Sequence, residues 1–218
     1  MDDLREPIFR LDKNERQVQS YSELPLDVFA HDFDLPRSSG HKRESSIAGM
    51  EPIDALLVPR EWRKEARDSN FGEVAKSLSF LPPDGQGAEL ALYDRGYPIA
   101  SSEAQQFQAI LNKAPHKLEP AEIATLNPQV LGNVGDSSAF QINAAETIRV
   151  NGKTVLSVDG EWREGGKKFH GLYVPKDASS REIQEVYFEG QEPHFSKHLP
   201  DARQAMASIE WSKEFGKM

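Results

Sequence analysis

The chain has 218 residues, no cysteine, and 35 acidic against 26 basic side chains, for a formal net charge of -9. The missing cysteine excludes disulfide staples, thiolate metal sites and cysteine nucleophiles; the acidic balance, with a pI near 5.2, argues against sequence-independent binding to nucleic acid or anionic membrane, which both need a positive surface. With 38% apolar residues and a mean hydropathy of -0.62, the composition predicts a folded part with a real core joined to a poorly packed part.

Residues 1–58 read as an extended or flexible arm. Pro7, Pro25 and Pro36 interrupt them and 37–46 (RSSGHKRESS) is polar throughout, a composition that buries too little apolar surface to offset its ordering entropy. Two apolar clusters stand out: Ile8, Phe9 and Leu11, then Leu26, Val28 and Phe29 with Phe33 just beyond. Acidic residues interleaved with Leu and Phe mark segments that dock on a partner or fold back on their own domain, so these seven are the candidate partner-binding residues. The first residues, MDDLREPIFR, have no positive start followed by an apolar run, and nowhere does the chain hold an apolar stretch of the ~18 residues a membrane span needs. The expectation is a cytoplasmic protein without membrane insertion.

Residues 59–70 read as a short helical linker, with Pro59 acceptable at its first position and Trp62 as a packing anchor. An α+β domain is expected over 71–218. It opens with a strand or short helix at 74–81, a Pro-Pro-Asp-Gly loop, and the strand AELALYD, together an early hairpin. A helix over 102–112 follows, capped by Ser101 or Ser102, with Ala104, Phe107, Ile110 and Leu111 in one apolar stripe. A connector of short helical turns covers 116–135.

The stretch at about 139–189 holds four runs of β-branched and aromatic residues separated by hairpin-type breaks, an antiparallel meander. Asn151-Gly152 suits a type I′ turn, which needs positive φ at both central positions. Alternation then puts Thr154, Leu156, Val158, Gly160 and Trp162 on a buried face and Val155, Ser157, Asp159 and Glu161 on the other, with Gly171 opposite a bulky neighbour such as Trp162. A last helix is expected at 200–213, opening at Leu199-Pro200-Asp201, lined by Ala202, Met206 and Ile209, and closed by Trp211 and Phe215.

The fold class is therefore α+β: an antiparallel sheet made of the meander and the earlier hairpin, packed by helices near 102–112 and 200–213, with an extended N-terminal arm. This order, with an end of the form LPDARQAMASIEW, resembles the PsbP, Mog1 and DcrB-like superfamily of α/β/α sandwiches over roughly residues 72–212. The resemblance implies a non-enzymatic binding or assembly role; no binding residue carries over from it.

Signals for chemistry are sparse. His194 and His198 stand four apart, as metal ligands on a helix would, but Pro193 and Pro200 bracket them and no Glu follows His194, so they read as an incidental pair in a solvated loop. His170 lies across from Asp159 or Glu161 if the REGGKK turn pairs the strands, half of an acid–base system to which Ser157 would add a nucleophile. No GxSxG, phosphate-loop, GxGxxG or calcium-loop spacing occurs. No cofactor is implied.

The preferred expectation is a non-catalytic interaction, accessory or assembly factor that engages a protein partner, or a second copy of itself, through the arm and the sheet domain. The alternatives are a hydrolase built around His170, an inhibitor or immunity protein for a basic partner, and a carrier of a small apolar ligand held among Trp162, Phe169 and Tyr173.

Overall fold

A computed structural model describes residues 40–45, 47, 50–68, 76–84, 87–126 and 128–213. In chain order its elements are β1 (His41–Ser45), β2 (Ile53–Pro59), β3 (Arg63–Asp68), β4 (Lys76–Leu81), β5 (Ala88–Asp94), α1 (Ser101–Leu111), α2 (Pro120–Thr125), α3 (Pro128–Leu131), a 3-10 turn (Gly132–Gly135), β6 (Phe140–Val150), β7 (Lys153–Trp162), β8 (Lys168–Pro175), β9 (Ile183–Gly190), α4 (His194–Ala207) and β10 (Glu210–Trp211).

Asn151 and Gly152 take φ of 45° and 83°, so the expected tight turn forms and sets β6 against β7 from Val150↔Lys153 outward. Gly165 and Gly166, also at positive φ, turn β7 into β8. The meander continues through β9, which pairs on its far side with β5 of the earlier hairpin, giving a seven-stranded antiparallel sheet in the order β3-β4-β5-β9-β8-β7-β6. A second sheet, β1-β2-β10, has three strands.

Both faces of the large sheet carry a second layer, the helical one over β6–β9. On one lie α1, α2 and α3: Ala104, Phe107, Ile110 and Leu111 of α1 are buried against Leu156, Val158, Phe169 and Tyr173. On the other lie α4 and the small sheet, where Phe195, Ala202, Ala205 and Met206 meet Leu56, Val58, Leu90, Leu172, Val186 and Phe188. Each large apolar side chain closed off in this way contributes roughly 1.5–3 kcal/mol relative to exposure. The architecture is an α/β/α-type sandwich, with the small sheet sharing the α4 side.

Several details differ from the reading of the sequence. The described part of the expected helical linker at 59–70, residues 59–68, is not helical: Pro59 ends β2, and the charged run after Trp62 is β3, the outermost strand of the large sheet. Charged side chains suit an edge strand because they discourage pairing with other chains, and here their spacing resembled an exposed helix. The arm likewise does not extend to residue 58, since β1 and β2 occupy its last third; residues 1–39 lie outside the described residues. The final helix starts at His194 rather than near residue 200, carries Pro200 within it and stops at Ala207, leaving Trp211 in a strand. Helix α1 starts at Ser101 behind Ala100, with no side-chain cap. Val155 and Ser157 are as buried as Leu156 and Val158, so the β7 face expected to be open is covered by the second layer. Gly171 does lie against a bulky neighbour, but it is the ring of Phe169 rather than Trp162, and Gly160 likewise admits the ring of Phe140. Trp62 is the packing anchor expected of it, 1% exposed and stacked on Phe188 at 6.0 Å.

Candidate functional site

Strand register places His170 directly opposite Asp159, and His170 Nδ1 lies 2.8 Å from Asp159 Oδ1. The pair sits on the α4 side of the sheet. His170 is 5% exposed, and from α4 the guanidinium of Arg203 comes within 3.7 Å of the same carboxylate oxygen. Burial raises the Asp159 carboxyl, but the His170 hydrogen bond, the His170 charge and Arg203 together outweigh it and hold the group below its ordinary value. Glu146 of β6 completes the cluster. Its carboxyl is pushed up, first by burial and then by Asp159, against the opposing pull of His170, Arg203 and Lys117.

Glu161, the other carboxylate considered for His170, bonds instead to Lys168, its cross-strand partner. Ser157 is 2% exposed and faces Leu172 and Glu146 across its two neighbouring strands. Among the described residues no hydrogen bond joins Ser157 to His170, so the third member of a triad is not in place. A nucleophile needs its base within about 2.6–3.2 Å and needs substrate access. The arrangement fixes the imidazole by one nitrogen beneath a helix.

His194 and His198 are on the first turns of α4 rather than in a loop, and both turn toward Asp84 in the β4–β5 loop: His194 Nδ1 is 3.4 Å and His198 Nε2 3.1 Å from Asp84 Oδ2. Lys197 reaches the same oxygen at 2.9 Å. The hydrogen bonds from Lys197 and His198 hold the Asp84 carboxyl well below its usual range. Three basic side chains thus converge on one acceptor oxygen. Among the described residues no group of three or more His, Asp or Glu side chains is placed to hold a metal ion. His198 is 5% exposed and presents its ring edge-on to Trp62 at 6.0 Å, which ties the helix start, the loop and the Trp62 anchor together.

One buried charge had no trace in the local sequence. Arg95, 3% exposed, bonds through Nε to Glu185 of β9 and through Nη2 to the Val130 carbonyl at 2.8 Å, with Nη1 on the Gln129 carbonyl. Burial drives the Glu185 carboxyl up, with Arg95 pulling against it. The guanidinium pins α3 to the sheet. In the region proposed for a small ligand rings pack on one another: Phe140 lies edge-on to Trp162 at 5.0 Å and to Phe169 at 5.4 Å, and Phe169 stacks on Tyr187 at 5.5 Å.

The seven partner-binding candidates, Ile8, Phe9, Leu11, Leu26, Val28, Phe29 and Phe33, all lie outside the described residues. Arg203, Glu146 and Asp84 were missed by sequence reasoning: Arg203 and Asp84 join their clusters through tertiary packing, and Glu146 through the register of the β6–β7 hairpin. Among the described residues no helix is long and apolar enough to cross a membrane.

No protein-family model matches the chain, and no curated protein matches it in sequence. Its fold is similar to that in the solution structure of cyanobacterial PsbP (CyanoP) from Synechocystis sp. PCC 6803, with a TM-score of 0.52 and 10% sequence identity over 79% of this chain and 92% of that one. The chain has a PsbP-like fold, as its element order implied. At this identity the likeness is one of fold, and no residue role transfers with it.

Proposed function

We propose that this chain is a non-catalytic interaction or accessory factor that engages a protein partner through residues 1–39 and the sandwich domain, with Ile8, Phe9, Leu11, Leu26, Val28, Phe29 and Phe33 as the contact residues. The observation that supports the reading is that the two histidine sites are closed on themselves. His170 is held by Asp159 beneath α4, and His198 is held by Asp84 against Trp62. Side chains with the right chemistry for catalysis are thus occupied in joining layers. The PsbP-like fold is compatible with an accessory role. The net charge of -9 favours a basic partner, because opposite charge speeds encounter. The cytoplasm is the compartment we assign to it.

The test is capture from native lysate with the full chain and with a full chain carrying Phe9→Ser, Leu26→Ser, Phe29→Ser and Phe33→Ser, at low and moderate salt, followed by affinity measurement with the purified partner. The expected result is one stoichiometric partner whose affinity falls at least tenfold in the variant and weakens with salt. Equal binding by both chains would remove the arm from the interface. Capture of nothing by either would count against the interaction reading.

A further inference from the structure

The turn between β6 and β7 does more than reverse the chain. From it the Asn151 side chain reaches the C-terminal end of the molecule, where Nδ2 donates to the Ala207 carbonyl at 3.2 Å and to the Ile209 carbonyl at 2.6 Å. Ala207 ends α4, whose last turn holds no basic side chain, so the amide meets the negative end of that helix in place of one. Trp211 Nε1 donates back to the Val150 carbonyl at 2.9 Å, and Glu210 and Trp211 pair with β2. One primary amide thus helps to latch the meander to α4 and to the strand that completes the small sheet.

The same amide is chemically labile. Asn151 is the one asparagine of the chain followed by glycine. Gly152 sits at φ 83° with nothing within 4 Å of where a Cβ would stand, and both residues are exposed, so the Gly152 nitrogen is unscreened and water has access. Once deprotonated, that nitrogen attacks Asn151 Cγ; the bond from Cγ to Nδ2 breaks, ammonia leaves, and water opens the resulting cyclic imide to aspartate or isoaspartate. Asn112, Asn133 and Asn143 are also exposed, but Lys113, Val134 and Ala144 put a Cβ beside the attacking nitrogen. At position 151 the leaving group and the latch are one atom. While two carbonyls hold Nδ2 the reaction has to wait for the latch to open. After ammonia has left, the position carries a carboxylate without an N–H, turned toward two carbonyl oxygens at the negative end of α4.

We infer that Asn151 is a deamidation site of the folded protein, and that its conversion to an acid releases the end of α4 and β10 from the meander. The change runs one way, needs only water, and is independent of residues 1–39 and of any partner they engage.

The test incubates the purified full-length protein at mildly alkaline pH in water enriched in heavy oxygen, with and without urea, and locates the incorporated label by peptide mass spectrometry. In the folded protein label should enter position 151 at least tenfold faster than Asn112, Asn133 or Asn143, and in urea, where the latch is gone, faster still. Amide hydrogen exchange over residues 208–211 then reads the latch. It should rise at least threefold in purified Asn151→Asp, which keeps the turn because Asp tolerates positive φ as Asn does. Asn151→Gly, which lacks both the amide and the charge, should rise above the parent but less than Asn151→Asp; circular dichroism checks that both variants fold. Labelling at 151 no faster than at the other three asparagines overturns the site. Equal rates with and without urea, or exchange at 208–211 unchanged in Asn151→Asp, overturns the latch.

Discussion

Gly160→Ala tests the packing of the meander most sharply. A Cβ at Gly160 would lie 2.2 Å from Phe140 Cε1, 2.3 Å from Cζ and 2.4 Å from the Gln141 carbonyl oxygen. Phe140 has little room to retreat, being 1% exposed and held edge-on by Trp162 and Phe169. The Gln141 carbonyl belongs to β6, paired with β7 on either side of the contact, so relieving that clash means moving a strand. Overpacking of this kind costs about 1–3 kcal/mol and more where backbone must shift. The lower entropy of the unfolded alanine chain offsets only ~0.4–1 kcal/mol. With the cost at the top of that range because backbone must shift, the net expectation is a loss of about 2–3 kcal/mol, which for a chain of this size lowers Tm by roughly 4–12 °C. Thermal and urea unfolding followed by circular dichroism measure it. Phe140→Leu in the same chain should relieve part of the clash, so that the double variant is less destabilised than the sum of the singles by at least ~0.5 kcal/mol. An unchanged Tm for Gly160→Ala, or strict additivity with Phe140→Leu, would refute the ring-on-glycine account.

Arg95→Met leaves the Glu185 carboxyl buried without its guanidinium and should cost about 3–5 kcal/mol in urea unfolding, with Glu185→Met in addition recovering part of it; a double variant worse than Arg95→Met alone contradicts this. Glu146 is raised above its ordinary 4.5, so the stability of its protonated form is fully present below about pH 4.5 and lost as pH rises through the folded value. Glu146→Gln should therefore be more stable than the parent near neutral pH, with the gap closing below about pH 4.5; a pH series of melting curves showing a constant gap would exclude it. Glu122 has the opposite sign. Held down to about 2 by hydrogen bonds from Lys113, the Glu119 backbone and His116, it contributes stability above its ordinary 4.5 that disappears as pH falls toward 2, so Glu122→Gln should be less stable at neutral pH and level with the parent near pH 2.

Features written in short-range chemistry were legible before the structure. Asn151-Gly152 prescribed its own turn, the 3-and-4 spacing of Ala104, Phe107, Ile110 and Leu111 prescribed α1, and the turn after β7 was enough to set His170 across from Asp159. Features that depend on position in the sheet were not. The charged residues of β3 carry no alternation to betray a strand, because an edge strand needs charge more than it needs two distinct faces. Pro200 looked like a starting signal for α4, while the true start is anchored by the Glu192 side chain on the Ser196 hydroxyl at 2.7 Å and by Phe195 stacked on Phe188. The candidate sites follow the same division: the local pair His170–Asp159 was readable, whereas Asp84 with His198, and Arg203 with Asp159, meet only because α4 crosses the sheet.

The three-stranded sheet joins distant parts of the chain. Its central strand β2 takes β1 on one side and β10 on the other, and the Asn151 side chain donates to the Ile209 carbonyl at 2.6 Å just before β10. During synthesis, β1 and β2 are therefore made long before the strand that completes their layer. Until residue 211 has emerged from the ribosome, β2 offers an unpaired backbone edge, and its apolar residues Ile53, Leu56 and Val58 wait for α4 to cover them. The nascent chain thus passes through a long interval of exposure to chaperones, proteases and neighbouring nascent chains, which the pairing of β10 with β2 closes.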